Sequence, residues 1–145
     1  MIDRNARDAA IALLKKILAE DITNYEFEDQ WPDKSSEFVI TAIAEQLWFY
    51  YDDYPKTKFM RAGLGPEVTS FIERAIVFLS SDVEYEWPEY SFATENRSLF
   101  ERLFGLGKRR STEQWEKFKA AGEIDAWPFL RIADYKHALE QRTDT

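Results

Sequence analysis

A chain of 145 residues is one ordinary domain, 1–145, and 45% hydrophobic and 16% aromatic content argues for a buried core rather than disorder. There is no cysteine, which excludes disulfides, thiolate nucleophiles and cysteine-zinc sites. The net charge of −8 is uneven: residues 1–95 carry 9 Lys/Arg against 19 Asp/Glu, and residues 96–145 carry 10 against 8. An acidic body repels phosphate backbones, which disfavours nucleic acid, and attracts a basic protein.

In chain order, the spacing of Ala6, Ala10, Leu13, Leu14, Ile17 and Leu18 predicts an amphipathic helix over residues 5–19. Residues 21–33 read as a loop or short strand. Their Tyr25-Glu26-Phe27-Glu28 alternates aromatic and acid, as a half-buried strand does. Asp33, Ser35 or Ser36 can cap the next helix. Residues 38–51 are apolar almost all round, with Thr41 and Glu45 on a narrow polar face, which marks a central helix. Trp48 on that helix is expected in the core, and the helix should end near Asp52-Asp53-Tyr54-Pro55.

Gly65-Pro66-Glu67 predicts a helix start, because Pro fits the first helical position and an acid favours the N-terminal dipole. The stripe Val68, Phe71, Ile72, Ala75, Ile76, Leu79 continues it to Ser80-Ser81-Asp82. Val83-Glu84-Tyr85-Glu86-Trp87 then alternates again. The two acidic-aromatic runs suggest a short repeat of related corners. Beyond them, a short helix at 98–104, a basic loop at 105–110, a capping box at Ser111 and Gln114 opening a helix that closes at Gly122, a link at 123–129 and a last helix at 133–142 complete the reading. The expected fold is mainly α, five or six helices around the helix at 38–51. It leaves room for one short two-stranded β element from residues 24–28 and 83–87.

Three of the five tryptophans precede proline: Trp31-Pro32, Trp87-Pro88 and Trp127-Pro128. A residue before Pro is pushed from the helical region into extended backbone. Each pair should therefore end a helical path and lay a large ring against something.

Motifs with chemistry are sparse. His137, the only histidine, has Asp134 three residues before it, but no serine stands in a nucleophile-elbow context. Asp52, Asp53, Asp82, Glu84 and Glu86 are the candidates for a carboxylate cluster, without the spacing of a calcium loop. Asp52 and Asp53 oppose the dipole at a helix end, so a partner such as Arg61 or Arg74 is expected. Gly105-Leu106-Gly107-Lys108 fails both phosphate-loop patterns. No metal site and no cofactor is expected. Trp31, Trp48 and Trp87 are the residues that would line a ligand pocket, although aromatics at such spacing are more often core.

Asp52-Asp53 and Phe78-Leu79-Ser80-Ser81-Asp82-Val83-Glu84-Tyr85-Glu86-Trp87-Pro88 resemble a group of small bacterial proteins to which no activity is assigned. The resemblance covers roughly residues 10–92. The size and acidity are also similar to those of bacterial immunity proteins that neutralise toxins. The resemblance implies a bacterial protein and transfers no reaction. No apolar run approaches the ~18 residues of a membrane span and no secretory signal is visible, so a cytoplasmic location is expected.

The expected function is thus a protein-protein interaction module of immunity or antitoxin type. Its acidic surface, from Glu84, Glu86, Glu89, Asp52 and Asp53, would dock on a basic partner. The rival expectations are an enzyme using Asp52, Asp53 or Asp82 with a divalent metal, and a small-ligand domain lined by the three tryptophans.

Overall fold

The structure is a computed structural model describing residues 1–48, 65–90 and 115–143. The expectations for Asp52 and Asp53, the helix end at 52–55, the helix at 98–104, the basic loop and the capping box lie outside the described residues. The side chain of Trp48 does too.

The described residues are mainly helical, and no strand occurs among them. Helix α1, Arg4–Leu18, starts at Asp3, whose side chain accepts a hydrogen bond from the Ala6 amide. Its buried face is Ala6, Arg7, Ala10, Leu13, Leu14 and Ile17, the predicted stripe with one arginine added. It ends in a Schellman turn: the Glu20 amide donates to Ile17 and the Asp21 amide to Lys16. Glu20 holds a φ of 54° there, a position where glycine is the usual residue.

Helix α2, Asn24–Gln30, stands where a loop or short strand was expected. The reason is local. Thr23 caps the helix, its hydroxyl accepting from the Glu26 amide and donating to the Glu26 carboxylate, each at 3.1 Å. Phe27 and Trp31, four apart, then bury one face, ring centroids 5.0 Å apart, while Tyr25 stays 37% exposed. The inward spacing is therefore that of a helix, not the alternation of a strand. Since residues 83–87 have no regular secondary structure, the two runs are not a structural repeat, and no strand pair joins them.

Helix α3, Phe38–Trp48, is as buried as its composition predicts: Val39, Ile40, Ala42, Ile43 and Leu47 have no solvent exposure. Of the three cap candidates, Ser35 acts at its entry, accepting from the Glu37 amide at 3.2 Å. Helix α4, Pro66–Ser80, starts at Gly65 with Pro66 in its first turn, as the sequence predicts. It shares the centre with α3, burying Val68, Phe71, Ile72 and the whole run from Ala75 to Leu79.

Residues 115–120 are helical, a 3₁₀ turn follows at Ile124–Ala126, and helix α5 covers Ile132–Thr143. Gly122 permits a close approach here. A Cβ on it would lie 2.6 Å from the Leu130 carbonyl, which accepts the Glu123 amide. Helix α4 packs on α1 and α5, and α1 also packs on α3.

Two of the three Trp-Pro steps end a helical turn as predicted; Trp87-Pro88 does not, because α4 has already ended at Ser80. Trp31 and Trp127 close helical turns with extended ψ values of 136° and 134°. Trp31, Trp87 and Trp127 are all buried. Each indole N–H has an acceptor: Ile40 carbonyl at 3.1 Å, Phe129 carbonyl at 3.0 Å and the Tyr85 hydroxyl at 2.9 Å. Burying a tryptophan removes roughly 150–250 Å² of surface, worth about 4–6 kcal/mol at about 25 cal/mol per Å². These rings are accordingly main contributors to the core.

Candidate functional site

The most built surface feature is the segment after α4, residues 81–90, which carries the predicted acidic ladder. Ser81 ends α4: its hydroxyl donates to the Phe78 carbonyl at 2.6 Å and accepts from the Val83 amide at 3.2 Å. The last carbonyls of a helix have no intrahelical donors and need others. Two arginines of α1 supply them. Arg4 donates to Leu79 at 2.7 Å and to Ser81 at 2.8 Å. Arg7 donates to Ser81 and Val83, each at 2.9 Å, and at 3.4 Å to Phe78.

Arg7 is wholly buried, and a buried charge needs a counter-charge. Glu37, at the entry to α3, provides it. Arg7 Nε donates to both carboxylate oxygens at 2.9 and 3.2 Å, and Nη2 to one of them at 2.8 Å. The Asp3 amide donates to Glu37 at 2.7 Å, and Ser35 donates its hydroxyl proton to the Asp3 carboxylate at 3.0 Å. Burial pushes the Glu37 carboxyl up and the Asp3 carboxylate adds to that push. The hydrogen bonds from Arg7 and the Asp3 amide, with the Arg7 charge, outweigh them and hold it below its ordinary value. One buried ion pair thus ties the start of α1, the entry to α3 and the end of α4.

Below the anchor, Tyr85, Trp87 and Tyr90 turn inward. Tyr85 meets Phe38, Phe78 and Trp127, and Trp87 stacks on Phe118 with centroids 4.7 Å apart. Burial pushes the Tyr85 hydroxyl pKa well up, and the bond from Trp127 only partly offsets that. Val83, whose place in the alternation would turn it inward with them, is 37% exposed, while its carbonyl accepts from Arg7. Glu84, Glu86 and Glu89 are exposed, as is Asp82. Asp82 pairs with Arg4 at 3.0 Å, and Glu84 lies 3.6 Å from the Met1 amine.

The structure therefore brings Glu84, Glu86 and Glu89 onto one short segment. Trp31 and Trp87 are core residues with their indole protons engaged, facing different partners. His137 is exposed and its Nε2 lies 3.1 Å from the Gln141 amide nitrogen. Arg74 donates to the Trp127 carbonyl at 2.6 Å, and burial lowers its pKa. Among the described residues no cluster of three His, Asp or Glu could hold a metal, and no helix is long and apolar enough to cross a membrane.

Sequence reasoning passed over Arg4, Arg7 and Glu37. A signal for Arg7 existed. Residues 7, 10, 14 and 17 share a helix face, so a cation stood in register with the apolar stripe. A charge in that register asks for a buried partner. No known family, curated protein or solved structure matches the chain.

Proposed function

We propose that the chain is a cytoplasmic bacterial protein-protein interaction module of immunity or antitoxin type, whose acidic segment docks on a basic partner. The observation that carries this reading is the division of residues 84–90: Tyr85, Trp87 and Tyr90 point inward, and Glu84, Glu86 and Glu89 are presented outward. Exposed like charges contribute nothing to folding, whereas a field of one sign steers an oppositely charged protein. The arginine anchor supports the reading further, since a segment held in place before binding loses less entropy on binding. The resemblance to small bacterial proteins at residues 78–88 is consistent with it.

Affinity capture from a bacterial host, run with the native chain and with Glu84→Lys/Glu86→Lys, tests the proposal. The expected result is a basic protein retained by the native chain and lost with the double variant, with an association rate that falls as salt rises. Equal retention by both would remove the acidic segment from the interface.

A further inference from the structure

A second feature lies away from the acidic segment, in a groove of about 340 Å³ where α1, α4 and α5 meet. Its floor is Ile76 and Val77 of α4, and its walls are Leu18 of α1 and Leu139 of α5. Leu139 is 37% exposed, so apolar surface faces the opening. Tyr135, Leu139 and Arg142 recur at i, i+4 and i+7, one face of α5, and Lys15 and Leu18 stand three apart on α1.

The charges at this groove run against the rest of the molecule. In a chain of net charge −8, it is lined by two cations, Lys15 and Arg142, and one anion, Glu73. Lys15 makes no ion pair among the described residues. Size decides what kind of ligand suits it. The α5 wall from Tyr135 to Arg142 is about 10 Å long at 1.5 Å per residue, too short to seat a partner helix of several turns. The volume instead falls in the small-molecule range.

We infer that this groove binds a small molecule with an apolar chain ending in one carboxylate. The chain would lie on Ile76 and Val77 between Leu18 and Leu139, and the carboxylate would meet the Lys15 ammonium and the Arg142 guanidinium. Charge-assisted bonds from such donors are the strong ones.

Octanoate, octan-1-ol and octyltrimethylammonium are the probes, titrated below micelle formation into the ¹⁵N-labelled full chain. Octanoate is expected to give saturable shifts at residues 15–18, 73–77 and 135–142. Octanol should bind roughly tenfold more weakly, the loss of about one charge-assisted bond, and the ammonium more weakly still. Lys15→Glu/Arg142→Glu should reduce octanoate affinity by at least roughly tenfold while the rest of the spectrum and the melting temperature stay unchanged. Both positions are exposed, so the fold should tolerate the change. Absence of saturable octanoate binding, equal binding of the ammonium, or undiminished binding by the charge-reversed variant would each overturn the assignment.

Discussion

Two stretches of this chain are written in nearly the same letters and fold differently. Residues 25–31 and 83–87 both interleave aromatics with acids and both end in Trp-Pro. The first is helix α2 and the second has no regular secondary structure. The difference lies in what surrounds each run. Thr23 precedes the first run and caps it, and seven residues then form the helix before Trp31. Before the second run Ser81 is already committed to ending α4. The Ser81 and Val83 carbonyls, which a new helix would need, are taken by Arg7. Nucleating a helix is costly, and the few residues before Pro88 offer little propagation to offset it. Alternation of side chains is thus an ambiguous signal in a short run, and the fate of the carbonyls resolves it.

The largest expected effect comes from removing the anchor that separates the two cases. Arg7→Ala leaves Glu37 buried without its counter-charge and should cost about 3–5 kcal/mol in urea denaturation. Native-state hydrogen exchange should accelerate at residues 81–87 more than in α2. Comparable acceleration in both would mean that Arg7 does not hold residues 81–87 in particular.

Trp31→Ala and Trp87→Ala should each cost about 3–5 kcal/mol, because both rings are buried whatever the backbone around them does. A loss below about 1 kcal/mol for either would show that its ring is not a core ring.

A pH titration sharpens the comparison next. The Glu37 carboxyl is held below its ordinary value of 4.5, so its contribution to stability is present above that value and lost as pH falls below it toward the depressed one. Glu37→Gln should therefore be less stable at neutral pH and show a shallower loss between neutral and acid. Parallel curves for variant and native chain would separate Glu37 from acid unfolding.

Smaller again is the cap. Thr23→Ala should cost about 1 kcal/mol, with faster exchange confined to α2. Smallest is Glu84→Lys/Glu86→Lys, expected to change stability by no more than about 0.5 kcal/mol, since both groups are exposed. A large loss there would make the glutamates structural.

Much of the helical framework was legible in advance. The stripe from Ala6 to Ile17, the apolar character of α3 and the Gly65-Pro66 start of α4 are local patterns that decide local structure, and they reappear within a residue or so. The exposed acids at 84, 86 and 89 were legible for the same reason. At Asn24–Gln30 two local signals compete, the capping-box pattern Thr23-Asn24-Tyr25-Glu26 and the strand-like alternation of aromatics and acids, and the cap prevails. Arg7 and Glu37 were missed because their partners lie 30 and more than 70 residues away in the chain.

By itself the amino-acid order determined where helices can start, which faces must be buried and where tryptophan leaves a helix for proline. Those outcomes depend on backbone sterics, periodicity and capping groups within a few residues of one another. Only the tertiary structure decided that Arg7 and Glu37 pair in the core, that the second acidic run stays out of a helix, and that three helices leave a groove with two cations at its edge. Each depends on donors, acceptors and apolar faces brought together from distant positions. The cost of leaving a buried charge or carbonyl unpaired is known only once the fold has buried it.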